Sequence, residues 1–415
     1  MADLAIVRYS EVGLKGENRS FFEERLRRNI KDGLRGLGVA RVEKIRGRIL
    51  VWHDADPRDV APRLARVFGI RSFSPARRVP SPTVESVEAA AVESALAALA
   101  ARAPRPRTFK VESDRSDKRF PLRSMELSAR VGAAILARAP ELKVRLVDPD
   151  LVVGIEVHAA AAFVYADRVE GPGGLPVGVS GRVVLLLSGG IDSPVAGWLL
   201  QKRGCQLAPL YFDAFPYTGE AAKEKVRDLA RFLALHQTVL DLHVAPFAPV
   251  QLALRDRCRP ELLVVLYRRL MMRVAERVAA RAGALALATG ESVGQVASQT
   301  LPNLQTIQDA THLLVLRPLA THDKEETVAL ARRLGTYEVS IRPAVDCCSL
   351  FVPKHPATRA RLDVILAEEA RLDVAALADE CAARVETVRF LHGEPQAAAA
   401  AGEASPADPG GAPAG

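Results

Sequence analysis

The stretch VVLLLSGGIDSPVAGWLLQKRG, beginning at Val183, constrains the fold more than any other part of the chain. An unbroken aliphatic run passes through a turn of small residues directly into a helical pattern. A strand that is apolar at every position has to be covered on both faces, which is the condition of a strand in a parallel sheet. The alternation continues with LAPLYF, a helix from Glu220 to Leu235, HQTVLDL, a helix around ELLVVLYRRLMMRVAERVAARAG, and ALALAT. Strands alternating with helices predict an α/β domain with a parallel sheet between helical layers. In such sheets ligands bind where strand ends meet helix starts, so the turn from Ser188 to Ser193 is the first candidate site.

Its residue types specify a ligand. Glycines let the backbone approach a phosphate closely, free N–H groups and the positive helix end attract the anion, and the two serines can donate hydroxyls. The spacing is too short for a Walker A loop and no Lys follows the second Gly. Asp192 stands among these donors, where its carboxylate would repel phosphate unless a cation intervenes; it is therefore expected to bind Mg2+, directly or through water. A structural helix start without nucleotide is the alternative reading.

Ahead of this domain the periodicity changes. LAIVRY reads as a strand, FFEERLRRNIKDGLRGLG as an amphipathic helix, and ARVEKIRGRILVWH as a hairpin turning near Arg46 and Gly47; this order predicts a small ferredoxin-like α+β unit. A second α/β unit opens near Ser81 with VESVEAAAVESALAALAAR and ends before the Gly/Pro linker EGPGGLPVGVSG. The tail from Pro395 has no Lys, Arg or aromatic residue and is expected to be disordered. With 415 residues, 49% of them hydrophobic, the chain is long enough for these domains. The expected boundaries are 1–78, 79–170, 171–394 and a tail at 395–415.

Charge separates the halves. Residues 1 to 180 hold 31 Lys and Arg against 23 Asp and Glu, and the remainder holds 26 of each, so the whole net charge of +8 lies in front. That distribution predicts a polyanion-binding N-terminal part. The five cysteines (Cys205, Cys258, Cys347, Cys348 and Cys381) contain no C-x-x-C pair, so spacing indicates neither zinc nor an iron–sulfur site. The N-terminus lacks a secretory pattern and no uncharged apolar run is long enough to span a bilayer, so no membrane is expected and the cytoplasm is the expected location.

The strand followed by SGGIDS resembles the PP-loop of ATP pyrophosphatases, which split ATP into AMP and pyrophosphate and adenylate an oxygen of their substrate. RYSEVGLKGENRSFFE, FKVESDRSDKRFPLRSMEL, LPVGVSGRVVLLLSGGIDSPVAGWLL, LATGESVGQVASQTLPNL and RPAVDCCSLFVPKHPATR together resemble the tRNA 4-thiouridine synthetase family, in that family's order. The resemblance implies a ferredoxin-like domain, a THUMP RNA-binding domain and a PP-loop domain. It implies ATP and Mg2+ as cofactors, and conversion of a tRNA uridine, at position 8, to 4-thiouridine.

On individual positions the resemblance assigns Leu186, Leu187, Ser188, Gly189, Gly190, Asp192 and Ser193 to the ATP loop, and Tyr211 and Phe212 to the adenine. Asp213, Ala214 and Phe215 depart from the His-Ser-Pro-Pro-like sequence usual in the family. Arg268, Gly290 and Gln299 match further nucleotide contacts and Lys324 matches the essential lysine. A lone helical Arg is otherwise a surface residue, and Lys324 otherwise an exposed helix start. Cys348 matches the sulfur-transferring cysteine, with Cys347 beside it and Lys354 and His355 near enough to lower a thiol pKa. Longer family members carry a rhodanese-like domain that is not seen here. A cysteine desulfurase is therefore the expected persulfide donor, and a thiamine-precursor role is not expected.

Basic residues with few aromatics, among them Lys110, Arg115, Lys118 and Arg119, are expected to hold tRNA through phosphates and shape. A homodimer is compatible with the sequence. Two other readings stay open: a PP-loop thiolase of another tRNA base, and a non-catalytic THUMP-type RNA-binding protein.

Overall fold

Val183 lies on an inner strand of a seven-stranded sheet in the computed structural model, which describes residues 3–45, 47–345, 347, 350–351, 353 and 355–396. The chain divides into two compact units, Met1–Gly174 and Leu175–Gly415.

The first unit is built on one nine-stranded sheet. β1 (Asp3–Arg8), α1 (Arg19–Gly33), β2 (Val39–Ile45), β3 (Arg48–His53), α2 (Pro57–Leu64) and β4 (Ser72–Pro80) make the ferredoxin-like part. The part expected to be a THUMP domain follows as α3 (Val84–Ala101), β5 (Thr108–Arg115), α4 (Ser124–Arg138), β6 (Lys143–Val144), β7 (Leu151–Val157), β8 (Ala161–Tyr165) and β9 (Val169–Glu170). The strand order is β2-β3-β1-β4-β8-β7-β5-β6, with β9 on β4. β4 belongs to both parts: residues 72–76 pair with β1, whereas Arg77–Pro80 pair with β8.

Alternation along β1 explains how both faces are used. Ala5 and Val7 pack with Leu26 and Ile30 of α1 in one core, while Leu4 and Ile6 turn to the opposite face and meet Leu50, Ala161 and Phe163 in another. A third core lies between α3, α4 and the strands β5, β7 and β8.

Glu156 is buried where these parts meet, accepting from Arg8 Nε at 3.0 Å, Arg48 Nε at 2.9 Å and Tyr165 Oη at 3.3 Å. Burial alone would raise its pKa, but the hydrogen bond from His158 and the charges of Arg48 and Arg8 outweigh that and hold it at about 2.

The second unit runs β10 (Arg182–Leu186), α5 (Asp192–Lys202), β11 (Gln206–Asp213), α6 (Glu220–Ala234), β12 (Val239–Pro246), α7 (Ala248–Arg257), α8 (Leu263–Ala282), β13 (Ala286–Ala288), α9 (Leu301–Gln308), β14 (Leu314–Leu316), α10 (Lys324–Leu334), α11 (Tyr337–Ser340), α12 (Leu362–Glu369), α13 (Val374–Ala383), β15 (Glu386–Leu391) and β16 (Glu394–Pro395). β14, β13, β10, β11 and β12 lie side by side and parallel. β15 then pairs antiparallel with β12, and β16 with β15. Pro395, which composition assigned to the tail, thus still sits in the sheet opposite Phe390; the tail residues after Gln396 lie outside the described residues.

α8 is apolar on most of its circumference because it is the core of this unit, and it ends at Gly283, whose φ of 62° is the left-handed cap that glycine accepts without strain.

Candidate active site

β10 ends at the turn and α5 begins at Asp192, so the turn's N–H groups lie at the positive end of a helix eleven residues long. The two serines shape the turn. Ser193 Oγ accepts from Ser188 N at 2.9 Å, and Ser188 Oγ accepts from Gly190 N at 3.2 Å. The sequence offered these hydroxyls to a ligand; folding engages them within the turn itself. Gly290, after β13, crosses the start of α5 so closely that a Cβ there would lie 2.7 Å from Ser193 N. Only glycine lets the two segments meet, and their meeting closes one side of the site.

A cavity of about 170 Å³ results. Leu186, Leu187, Ser188, Gly190, Asp192, Ser193, Tyr211, Phe212, Arg268, Gly290 and Gln299 all line it, together with Met271, Met272, Thr289, Glu291 and Cys347. Gly189, in the same turn, is not among the lining residues, and a Cβ there would lie 3.2 Å from the Lys225 side chain. Gln299 Oε1 accepts from Ser292 N at 3.3 Å.

Both oxygens of Asp192 are engaged: Lys324 Nζ lies 2.7 Å from Oδ1 and Gln295 Nε2 lies 3.0 Å from Oδ2. Lys324 is the first residue of α10, whose start is fixed by a capping box between Asp323 and Glu326. The helix start therefore aims the lysine at a carboxylate 132 positions away in sequence.

Glu291 is a residue that sequence reasoning missed, although it stands inside the quoted TGES. Almost fully buried, it accepts from Arg268 Nη1, from Arg317 Nε at 3.0 Å and from Thr289 Oγ1 at 2.8 Å. Arg268 is therefore held at the cavity wall. The available signal was a carboxylate in a loop expected to face an anionic ligand, which demands cationic company.

Cys347 is buried at the cavity wall, and its carbonyl accepts from Gln251 Nε2 at 2.9 Å. Cys348 and Lys354 lie outside the described residues. The other three cysteines are buried; burial raises the thiol pKa of Cys205 and Cys258 and pushes that of Cys381 up to about 12. Such thiols are poor nucleophiles at neutral pH.

In the first unit Lys110 Nζ pairs with Glu112 at 2.7 Å. Arg115 donates to the carbonyls of Phe120 and Leu122 at 2.8 and 3.0 Å, bracing the loop that carries Lys118 and Arg119. Lys118 is exposed, and Arg119, also exposed, pairs with Asp117 at 3.0 Å.

This donor set suits a nucleotide. Turn N–H groups, Arg268 and Lys324 offer positive charge to phosphates, while Tyr211, Phe212, Met271 and Met272 offer an apolar wall to a planar ring. Among the described residues no cluster of three or more His, Cys, Asp or Glu is arranged to hold a metal. An Mg2+ ion here would be held by Asp192 and by oxygens of the phosphates themselves, the usual division of labour for that ion.

Residues 178–374 match the family model for the thiamine biosynthesis protein (ThiI), residues 4–74 the ThiI ferredoxin-like domain and residues 84–167 the THUMP domain. A protein of Brevibacillus brevis named "Probable tRNA sulfurtransferase" is 45% identical over 385 residues, which is 92% of this chain and 95% of that one. Its namesake in Moorella thermoacetica is 47% identical over 392 residues, 94% and 98% of the two chains. The crystal structure of a 4-thiouridine synthetase–RNA complex with bound ATP matches with a TM-score of 0.84 at 39% identity, over 94% of this chain and 100% of that chain. A Pyrococcus horikoshii protein matches with a TM-score of 0.63 at 28% identity, over 80% and 99%.

Proposed function

Since the chain belongs to the tRNA sulfurtransferase family, we propose that it uses ATP to activate a tRNA uridine, at position 8, and replaces O4 with sulfur to give 4-thiouridine. The observation that carries this reading is the convergence on one cavity of the phosphate turn, Arg268, the Asp192–Lys324 pair and a cysteine.

In the first step the uridine O4 attacks the α-phosphorus of ATP and pyrophosphate leaves. Negative charge grows on the departing group, and the N–H groups at the start of α5, with Lys324, are the donors that stabilise it. Lys324 would reach a phosphate by releasing Asp192, whose carboxylate would then be the residue to hold Mg2+, an ion that would neutralise phosphate charge. In the second step the terminal sulfur of a persulfide attacks carbon 4, the C4–O4 bond breaks and AMP leaves; a second thiol then attacks the carrier's sulfur in the resulting C4–S–S–Cys link, breaking the S–S bond to release 4-thiouridine and leaving a disulfide that an external dithiol reduces. Cys348 is the proposed sulfur carrier and Cys347 its neighbour at the cavity wall. A cysteine desulfurase is the proposed donor, and the cytoplasm the proposed location. No helix among the described residues is long and apolar enough to cross a membrane.

The test is incubation of the full chain with a tRNA transcript, ATP, Mg2+, a desulfurase, cysteine and a dithiol reductant, followed by nucleoside analysis. AMP, pyrophosphate and 4-thiouridine should appear together, and Cys348→Ser should release pyrophosphate without thiolating. Thiolation of a different base would favour another PP-loop activity, and nucleotide binding with no pyrophosphate would point to a non-catalytic RNA-binding protein.

A further inference from the structure

We propose that Phe215 and Tyr217 form a stacking platform for an RNA base next to the reacting uridine. The proposal rests on the tRNA-modifying reading above and adds a subsite to it. β11 carries Tyr211 and Phe212 into the nucleotide cavity and ends at Asp213. The chain then places two large aromatic side chains in solvent, Phe215 at 57% exposure and Tyr217 at 44%.

These residues are held in place. The buried Asp213 carboxylate accepts from Phe215 N at 3.2 Å and pairs with Lys223 at 2.9 Å, and Tyr217 N donates to Ala214 O at 2.9 Å. An aromatic pair kept exposed on a fixed turn is ready to bind a flat partner with little ordering cost.

Two cations flank the rings. Lys223 Nζ lies 5.0 Å from the Phe215 centroid. The Tyr217 ring meets Phe351 edge-on at 5.3 Å, and the Arg255 guanidinium lies 4.9 Å from the Phe351 centroid. Phe351 follows Cys347 by four positions and has a φ of 58°, a left-handed conformation that is costly for a bulky residue and is found preferentially at functional sites. The platform thus follows the cavity-lining Phe212 by three positions along the chain and touches the segment after Cys347 through Phe351.

Residues 181 to 415 have no net charge, with 26 basic and 26 acidic residues, so general attraction does not hold RNA there. A base delivered to this unit needs a local hold. Exposed rings supply one for the base, and Lys223 and Arg255 stand beside them, each paired with a carboxylate, Asp213 and Asp256, at 2.9 and 2.8 Å.

The experiment uses the full chain and a tRNA transcript carrying 2-aminopurine beside the target uridine. Binding to the wild type should quench the fluorescence by stacking. The Phe215→Ala/Tyr217→Ala double variant should lose the quenching and thiolate roughly ten-fold or more slowly, the scale set by removing one base–aromatic stack, while ATP binding is retained. Phe215→Tyr and Tyr217→Phe should preserve the signal, and Phe215→Leu, equally apolar but without a ring face, should not. Unchanged quenching and thiolation in the double variant would overturn the platform. Retained quenching with impaired sulfur uptake from the desulfurase would also overturn it, reassigning the surface to a protein. A wild type that quenches but does not thiolate would sink the functional reading while leaving the platform standing.

Discussion

A carboxylate set among phosphate-binding donors needs a positive counterpart, and Asp192 has one in Lys324 at 2.7 Å. Lys324 is 47% exposed, so the pair is worth about 0–1 kcal/mol to stability. Asp192→Ala and Lys324→Ala should therefore stay folded and bind tRNA, yet release pyrophosphate at least ~10²-fold more slowly, as when other charge-stabilising groups are removed. Pyrophosphate release measured beside thermal melting checks this; normal release by either variant removes that residue from the catalytic set. Asp192 was legible in the sequence because the chemistry of its motif is local, whereas Lys324 was picked out only by the family resemblance, and its pairing with Asp192 is a tertiary fact. Glu291 was not legible, because its role depends on Arg268 from α8 and Arg317 after β14 converging on it. Nor could the adjacent cysteines be told apart by position, and the burial of Cys347 in the cavity wall is a tertiary fact.

Among the elements, β4 and the side chains around it hold the first unit together. Glu156 titrates near 2 in the fold against 4.5 in an unfolded chain, a lowered value. Its contribution is thus fully present above about pH 4.5 and is lost as pH falls from there towards 2; a difference of that size corresponds to about 3 kcal/mol. Glu156→Gln should remove this pH dependence and lower stability at neutral pH by about 3 kcal/mol, since Arg8 and Arg48 lose the charge that balances them and one of the two acceptor oxygens. Amide hydrogen exchange in β1 and β7 at pH 7 and pH 3 would measure it, and equal acid sensitivity of the two proteins would contradict it. Periodicity made the strands of this unit readable, as at LAIVRY and the hairpin. The sharing of β4 was not readable. Pairing partners are set by register against strands far along the chain, and the segment SFSPARRVP carries no mark of where one neighbour gives way to the other.

For the molecule as a whole, charge is the property that sequence conveys most completely, because counting needs no coordinates. The +8 excess lies in residues 1 to 180, so interactions with phosphates there should dominate tRNA affinity. Reversing Lys118 and Arg119 to Glu should weaken binding and flatten the log–log salt dependence by roughly 0.7–0.9 for each phosphate no longer neutralised, with ATP binding unaltered. Filter binding over a salt series decides it; an unchanged slope would return these two to an ordinary solvated loop. The continuous sheet of the first unit also limits how such proteins can be recombined. A chimera joined after residue 78 would take the part of β4 that pairs with β1 from one parent and half of the part that pairs with β8, Val79 and Pro80, from the other, cutting a single strand. The exchangeable cassette is the entire segment 1–174, and grafts respecting that border should express as soluble protein where grafts at 78 precipitate.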